Sequence, residues 1–596
     1  MKRAFALLLL VVVSSLALDA PSTDPAAHEP FGDHSKLGPD SRKQPGVPAG
    51  AEFSFKFSGS KVFPGTTRNV TVYVPAQYKG EKPACVYVAL DGLGFNAPVV
   101  FDNLISKGEM PVTIGIGISP GEVESAEAPA DPRFNRSFEF DGLNDSLAKL
   151  VLEEVLPEVE QHKTPDGLPI LLSKDPNDRC TAGGSTGAIA AFTLAWERPD
   201  AFHRVFTAIG TFVGMRGGDR YPVLIRKTEP KPIRIFMQDG ANDEWGGGPE
   251  VGDWWMGNQT VERALEFSGY QVEHSWGTGT HNGAHAAAIF PDAMRFLWKD
   301  WPQPIKPGQT QNIFLKNILR PDEQWQAVAG DYKGADALAS GPEGVVVFRD
   351  NQNQKTYRIA DDAKVSEVAD PGQNAHGLAF GPDGRLLAAG DDIRAVPFDA
   401  KGEAVTLATG IHGRELTAAH GGNIYVTEPG SAEAEPSKIW LIKPSGDKVV
   451  VDSGLNHATG IAISPDGLWL AVVESKTHWA FSYRVQPDGS LEDKQRFYWL
   501  HVPDTADDSG AGSLCFDRDG KLYAATRMGV QVLDRNGRTR AILPVPGGDV
   551  TSVCFGGDHF DKLLVTGGGK VYQRKLKTTG APAWAAPIKL PPWGAG

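Results

Sequence analysis

Two segments of this chain place a serine inside the pattern Gly-x-Ser-x-Gly: Gly117-Ile118-Ser119-Pro120-Gly121 and Gly183-Gly184-Ser185-Thr186-Gly187. A serine alcohol in that setting can serve as a nucleophile. It is raised on a sharp strand-to-helix turn, and the backbone N–H of the next residue faces the oxygen of the attacked carbonyl. Ser119 is followed by Pro120, which has no N–H to donate, and "GEVESAEAPADP" behind it lacks an amphipathic helical pattern. Ser185 is followed by Thr186, which keeps its N–H, and by the apolar stretch "AIAAFTLAWERPDAF", stopped at Pro199. Gly183 and Gly187 remove side chains where strand and helix backbones crowd together. The bland alternative is a purely structural strand–helix turn, so the partners must decide.

A serine needs a base, and the base needs an orienting acid. On an α/β sheet the order is Ser, then Asp or Glu, then His, each just past a strand. "PIRIFMQDGANDEW" ends a strand and offers Asp239, Asp243 and Glu244. Asp243 is the choice because it stands out on the loop, whereas Asp239 is at the strand's edge; Asp253 in "GDWW" is a further rival. "YQVEHSWGTGTHNGAH" supplies His281 in a Gly-rich loop as the base. His285 then falls in the first turn of a helix, in a capping or supporting role, and His274 lies in a strand. The oxyanion donors are expected at Thr186 and, from "ALDGLGF", at Gly92 and Leu93; the alternative for that loop is a simple tight turn. Trp254 and Trp255 are candidates to stack on a sugar or an aromatic acyl group, against core or loop packing.

These residues need a parallel sheet beneath them. From about residue 51 to 302, apolar β-branched strands (85–92, 112–119, 203–210, 232–240) alternate with helical stretches, including 145–162. That alternation predicts an α/β sheet with helices on both faces. From about residue 321 the helices vanish. A polar turn followed by an apolar strand recurs, with turn glycines Gly344, Gly384, Gly422, Gly467 and Gly520 spaced 40, 38, 45 and 53 residues apart and a sixth copy near Lys562. The period is that of a four-stranded blade, and six copies predict an all-β six-bladed propeller.

The chain of 596 residues exceeds one hydrophobic core. Its net charge of -14 argues against nucleic acid and anionic membrane surfaces as partners. Lys2 and Arg3 before the apolar run Leu7–Val13 and the small residues Ser14, Ser15 and Ala17 read as a secretory signal, so a secreted or periplasmic location is expected. No later stretch is apolar for long enough to span a bilayer. The expected division is a signal peptide over 1–20, a flexible leader over 21–50, the α/β domain over 51–302, a linker over 303–320, the propeller over 321–590 and a tail over 591–596. Cys85, Cys180, Cys515 and Cys554 sit in strand-like runs and read as buried free thiols.

With these residues in place, the first half resembles the esterase D / enterochelin-esterase-like branch of the α/β-hydrolases. The matching features are "VYVALDG", "AGGSTGAIAAFTLAWERPDAFHRVF", "FMQDGAND", "GDWWMGNQ" and "GTGTHNGAHAAAIFPDAMRFLW". The resemblance implies ester hydrolysis with Ser185 as nucleophile, His281 as base and Asp243 as acid, although "GGGPEVGDWW" lengthens the loop after the acid. The second half resembles the senescence-marker-protein/gluconolactonase propellers. Their active members hold one divalent metal through a Glu before Gly-Pro, an Asn before Gly, and an Asp. Here Ser340, Thr459 and Gly512 occupy those places, with Glu415, Asp507 and Asp508 nearby. Hard cations want carboxylate and carbonyl oxygens, so a non-catalytic propeller is expected, and no metal or other cofactor. The implied activity is a secreted serine ester hydrolase acting on a small-molecule or polysaccharide ester, of feruloyl or acetyl type. Its alternatives are a metal-dependent lactonase in the propeller and a siderophore esterase. A propeller that carries the esterase to a glycan is a third role.

Overall fold

A computed structural model describes residues 35–592, apart from 128–129, 246–247, 329, 331, 369–373, 399–402 and 431–434. The expected signal segment, and leader residues 21–34, lie outside the described residues.

Among the described residues, the first half is one ten-stranded mixed sheet. Its elements are β1 (Ala51–Ser58), β2 (Thr67–Val74), β3 (Cys85–Leu90), α1 (Ala97–Lys107), β4 (Thr113–Ile118), β5 (Glu122–Val123), β6 (Arg133–Phe134), α2 (Arg136–Phe140), α3 (Ser146–Lys149), α4 (Leu156–Gln161), β7 (Arg179–Gly184), α5 (Thr186–Glu197), β8 (Arg204–Ala208), α6 (Tyr221–Lys227), β9 (Arg234–Gly240), α7 (Trp254–Phe267), β10 (Gln271–Gly277) and α8 (Ala284–Trp298). Residues 150–155 join α3 to α4 through a π turn. The strand order is β10-β9-β8-β7-β3-β4-β2-β5-β6, with β1 on β2. From β4 to β10 all pairings are parallel. The inner strands β3, β4, β7, β8 and β9 carry almost no exposed residue, because helices cover both faces. One face packs against α3–α7 and the other against α1 and α8. This is the expected α/β-hydrolase fold.

The second half is six four-stranded antiparallel sheets. Their innermost strands are Ala335–Ser340, Gly377–Phe380, Glu415–Ala418, Ala458–Ile463, Leu514–Phe516 and Val550–Gly556. Gln326–Ala327 supplies the outer strand of the last blade and so closes the ring with both ends of the domain. The repeated glycines sit in the turns after the innermost strands. Gly344, Gly384, Gly422, Gly467 and Gly520 all have φ between 73° and 86°, a conformation that side chains disfavour. Gly557 fills the sixth such turn at φ 80°.

Two expectations about the connections need correction. Residues 35–50, expected as part of a flexible leader, are pinned to the α/β domain. Asp40 pairs with Lys107 at 2.5 Å and with Arg295, and Asn103 Nδ2 donates to the carbonyls of Asp40 and Arg42 at 2.8 and 2.9 Å. Within 303–320, expected as a linker, α9 (Ile313–Ile318) buries Leu315 and Ile318 in the propeller's own core. In both cases polar composition hid a few anchoring side chains.

The two halves also share buried structure. Thr228 forms a β-bridge with Ile542, which packs into the α/β core. Arg574, whose side chain is 1% exposed, holds Glu229 through two hydrogen bonds of 2.6 and 2.8 Å. Arg220 donates to the Val502 carbonyl, Leu143 N–H donates to Asp504 Oδ2 at 3.2 Å, and Lys227 Nζ donates to His501 Nε2 at 3.0 Å. Burial, with Lys227 and Arg220 beside it, pushes the His501 imidazole down to about 3. It therefore stays neutral in the folded protein where the unfolded chain takes up a proton. Stability is complete above the ordinary histidine value of 6.5 and falls as pH drops from there toward about 3. His501→Gln should make that acid-side decline of Tm shallower by one proton. Arg574→Ala, which strands Glu229, should cost roughly 2–3 kcal/mol in denaturant titrations.

Candidate functional site

Ser185 stands between β7 and α5 with φ 55° and ψ -124°, a conformation that costs an L-residue about 1–3 kcal/mol. The surroundings enforce it. The Ser185 N–H donates to the Ala208 carbonyl at 2.9 Å, and its carbonyl accepts from Ala188 at 3.0 Å and Thr211 at 3.2 Å. A Cβ at position 183 would overlap the carbonyl of Gly187, so the strand and helix approach closely only because residue 183 has no side chain. Ser119, by contrast, follows β4 and leads through Pro120 into the short strand β5, not a helix.

The Ser185 Oγ lies 2.8 Å from His281 Nε2. On the other side of the ring, His281 Nδ1 is 2.8 and 3.0 Å from the two carboxylate oxygens of Asp243. These three residues come from loops after β7, β9 and β10, all at the carboxyl edge of the sheet. The last two loops are zipped together. Ala241 and Asn242 N–H donate to the Gly277 and Gly279 carbonyls at 2.8 and 3.1 Å, and Asn242 Nδ2 donates to the Thr278 carbonyl at 2.7 Å. The Asp243 side chain is 0% exposed and that of His281 23%, so the acid is shielded while the imidazole meets solvent.

The rivals go elsewhere. Asp239 is buried at the end of β9, with Oδ1 accepting from Gly240 N–H at 2.7 Å and Oδ2 from Asn258 Nδ2 at 2.8 Å. Asp253 caps α7 by accepting from Met256 N–H at 2.8 Å. His285 is buried in the first turn of α8, between Gln238 Nε2 and Ser275 Oγ, each at 3.1 Å. His274 stacks on Trp276 at 4.7 Å and pairs with Glu262.

Trp254 requires correction as a stacking platform. It is 1% exposed. Its Nε1 donates to Thr211 Oγ1 at 3.2 Å, and its ring meets that of His281 edge to face at 5.6 Å. It supports the imidazole from behind. Trp255 is half-buried against Trp276 at 5.3 Å. The most exposed aromatics among the described residues are Trp245, two residues past Asp243, and Phe134 and Phe138 around α2.

Thr186 opens α5. Gly92 and Leu93 lie in the loop between β3 and α1, which passes within 3 Å of where a Cβ on Gly117 would stand. Three residues of this loop hold positive φ: Asp91, Phe95 and Asn96 at 68°, 58° and 57°. Arg136 clamps it with hydrogen bonds of 2.9 and 2.6 Å to the Asp91 carboxylate. Asp91, Arg136, Thr211 and Asn258 were not singled out in the sequence. "ALDGLGF" drew attention to the loop, but nothing marks Arg136, 45 residues away, as its clamp.

The propeller channel is the other candidate site. It is a cavity of about 100 Å³, closed on one side by Trp584, whose Nε1 donates to the Ser340 carbonyl at 2.8 Å. Of the positions expected to hold a metal, Thr459 and Gly512 lie outside the lining of this cavity: Thr459 Oγ1 is spent on the Ala511 carbonyl at 2.7 Å, and a side chain at Gly512 would overlap the Thr551 carbonyl. Asp508 pairs with Arg527 at 2.9 Å. Burial pushes the Glu415 carboxyl up to about 8. The residues at the expected metal positions, Ser340, Thr459 and Gly512, do not supply the carboxylates that a hard divalent cation wants.

Residues 60–273 match the family model described as "Putative esterase", and residues 337–568 match that of the SMP-30/gluconolactonase/LRE-like region. The chain is therefore an esterase-type domain fused to a gluconolactonase-like propeller. A gluconolactonase of Zymomonas mobilis subsp. mobilis is 22% identical over 254 residues, covering 37% of this chain and 68% of that protein. Among solved structures, a gluconolactonase of Xanthomonas campestris is 22% identical with a TM-score of 0.39, over 44% of this chain and 93% of that one. The enterobactin esterase of Shigella flexneri is 18% identical with a TM-score of 0.32, over 44% of this chain and 62% of that one.

The backbone overlap at position 183 gives a direct test. Gly183→Ala should lower the Tm of the α/β domain by about 5 °C or more. Gly184→Ala should be tolerated within about 1 kcal/mol, because a Cβ there makes only an ordinary contact of 3.5 Å with Phe95.

Proposed function

We propose that this chain is a serine-dependent carboxylic ester hydrolase of the secreted or periplasmic space. Its proposed substrate is a carbohydrate-linked ester of feruloyl or acetyl type. The observation that carries the reading is the unbroken hydrogen-bond chain Ser185–His281–Asp243. Ser185 Oγ attacks the ester carbonyl while His281 Nε2 takes its proton. The amides of Thr186 and of Gly92 or Leu93 receive the developing oxyanion. The bond to the leaving alcohol breaks, and His281 returns the proton to it. Water, deprotonated by the same imidazole, then releases the acid from the acyl-enzyme. Asp243 holds the imidazole in the tautomer that presents Nε2 to Ser185 and stabilises the imidazolium.

Trp245, Trp255 and Phe138 are aromatic faces suited to an aromatic acyl group or a sugar ring. The propeller acts as a rigid flank without chemistry of its own, since its central donor set does not suit the metal that a lactonase would use.

The deciding experiment is a panel of acetyl, feruloyl, glucuronoyl and catecholate esters. Ser185→Ala should lower kcat/KM on every cleaved member by about 10³-fold or more while the fold persists. Retained turnover would refute the assignment. EDTA should leave the Ser185-dependent rate unchanged; lactone hydrolysis that EDTA abolishes and Ser185→Ala spares would place the chemistry in the propeller instead. Arg136→Ala, which releases Asp91, should lower kcat about tenfold with little change in KM.

A further inference from the structure

The acid of the proposed triad does not stand alone. Asp239, four residues before Asp243, is 0% exposed, and Asp243 is 1% exposed. Asp243 N–H donates to the Gly240 carbonyl at 2.9 Å, so one tight turn at the end of β9 holds both carboxyl groups, close enough for each to act on the other's charge. Two carboxylates in contact cannot both stay ionised in a buried site. The charged or titratable groups that face the pair are few. Asp239 meets Gly240 N–H from its own strand and Asn258 Nδ2 from α7, both neutral. Asp243 meets His281 from the neighbouring loop. Among the described residues, no Lys or Arg forms an ion pair with either carboxyl. Burial, and next the charge of Asp243, hold the Asp239 carboxyl well above the usual carboxylate range.

We infer that Asp239 is a positioning residue that keeps its proton through the catalytic cycle and donates it as a hydrogen bond to the Asp243 carboxylate. The pair then carries one negative charge, and that charge sits on the member in contact with the imidazole. Asn258 is the fixed strut. Its Nδ2 reaches Asp239 Oδ2 and the carbonyls of Gly210 and Trp254 at 2.8, 2.8 and 3.0 Å. It thereby links the carboxyl pair to the loop after β8 and to the helix that carries Trp254. No proton is transferred to or from Asp239 in any step. Its role is to orient the Asp243 carboxyl toward His281 Nδ1. This inference rests on the Ser185–His281–Asp243 reading above.

The test compares Asp239→Ala and Asp239→Asn with Asp243→Asn and Ser185→Ala in the full chain. Each is assayed over pH with the best ester of the panel. Asp239→Ala should lower kcat by about tenfold or more with KM nearly unchanged. It should also raise the midpoint of the acid limb by about half a pH unit, because Asp243 loses a donor and becomes more basic. Asp239→Asn, whose amide still donates and cannot ionise, should recover most of that rate and return the acid limb to the wild-type position. If Asp239→Asn is as damaged as Asp243→Asn, Asp239 supplies the charge and the inference is overturned. It is equally overturned if Asp239→Ala keeps the wild-type rate or loses rate with no movement of the acid limb. Should Asp239→Ala not fold, the isosteric Asn variant decides alone. If Ser185→Ala retains turnover, the underlying reading fails and this one with it. If Ser185→Ala is inactive while the Asp239 variants behave as wild type, only the present inference fails.

Discussion

A single residue held in a conformation it does not favour is the constraint on which the rest of the site depends. At φ 55°, Ser185 turns the chain from β7 into α5 so sharply that its Oγ projects above the sheet edge. The turn persists because the two backbones behind it touch, which a side chain at residue 183 would forbid, and because β8 receives the Ser185 N–H. The cost of about 1–3 kcal/mol is met by the buried core on either face of the sheet. Everything else at the site is placed relative to that oxygen.

The parallel order of the strands does the next part of the work. β7, β8, β9 and β10 lie side by side, so the loops that follow them emerge along one edge. Asp243 and His281, 38 residues apart in the chain, meet because β9 and β10 are neighbours and their loops are hydrogen-bonded to each other. Shielding the acid while leaving the imidazole accessible follows from the same arrangement. Trp254 and Thr211 fill the space behind the ring.

The propeller enters this structure as part of the same body. Ile542 packs into the α/β core, and the Arg574–Glu229 pair closes over the joint. The contacts made by Arg220 and Leu143 tie the start of α6 and the segment between α2 and α3 to residues 502–504 of the propeller. A domain joined in this way differs from one carried on a free tether. The stretch 303–320, polar and proline-containing, gave no hint of it, since docking depends on which surfaces face each other and not on the composition of the connection.

Much was legible from residue types alone. The alternation of apolar strands and helices specified the α/β sheet, because burial on both faces demands near-continuous apolar strands. The recurrent turn glycines specified six blades, because the tight turn after each inner strand needs positive φ. The Gly-x-Ser-x-Gly pattern and the absence of an N–H at Pro120 separated Ser185 from Ser119 by chemistry that needs no coordinates. Only the tertiary structure decided which carboxylate faces His281 and that Asp253 is a helix cap. It alone showed that Trp254 is buried behind the imidazole, and that Arg136 and Asn258 hold pieces of the site from distant elements. Local chemistry is written in neighbouring residues and their periodicity. Which side chains from separate strands share one pocket depends on sheet order, loop pairing and burial, and these exist only once the chain has closed on itself.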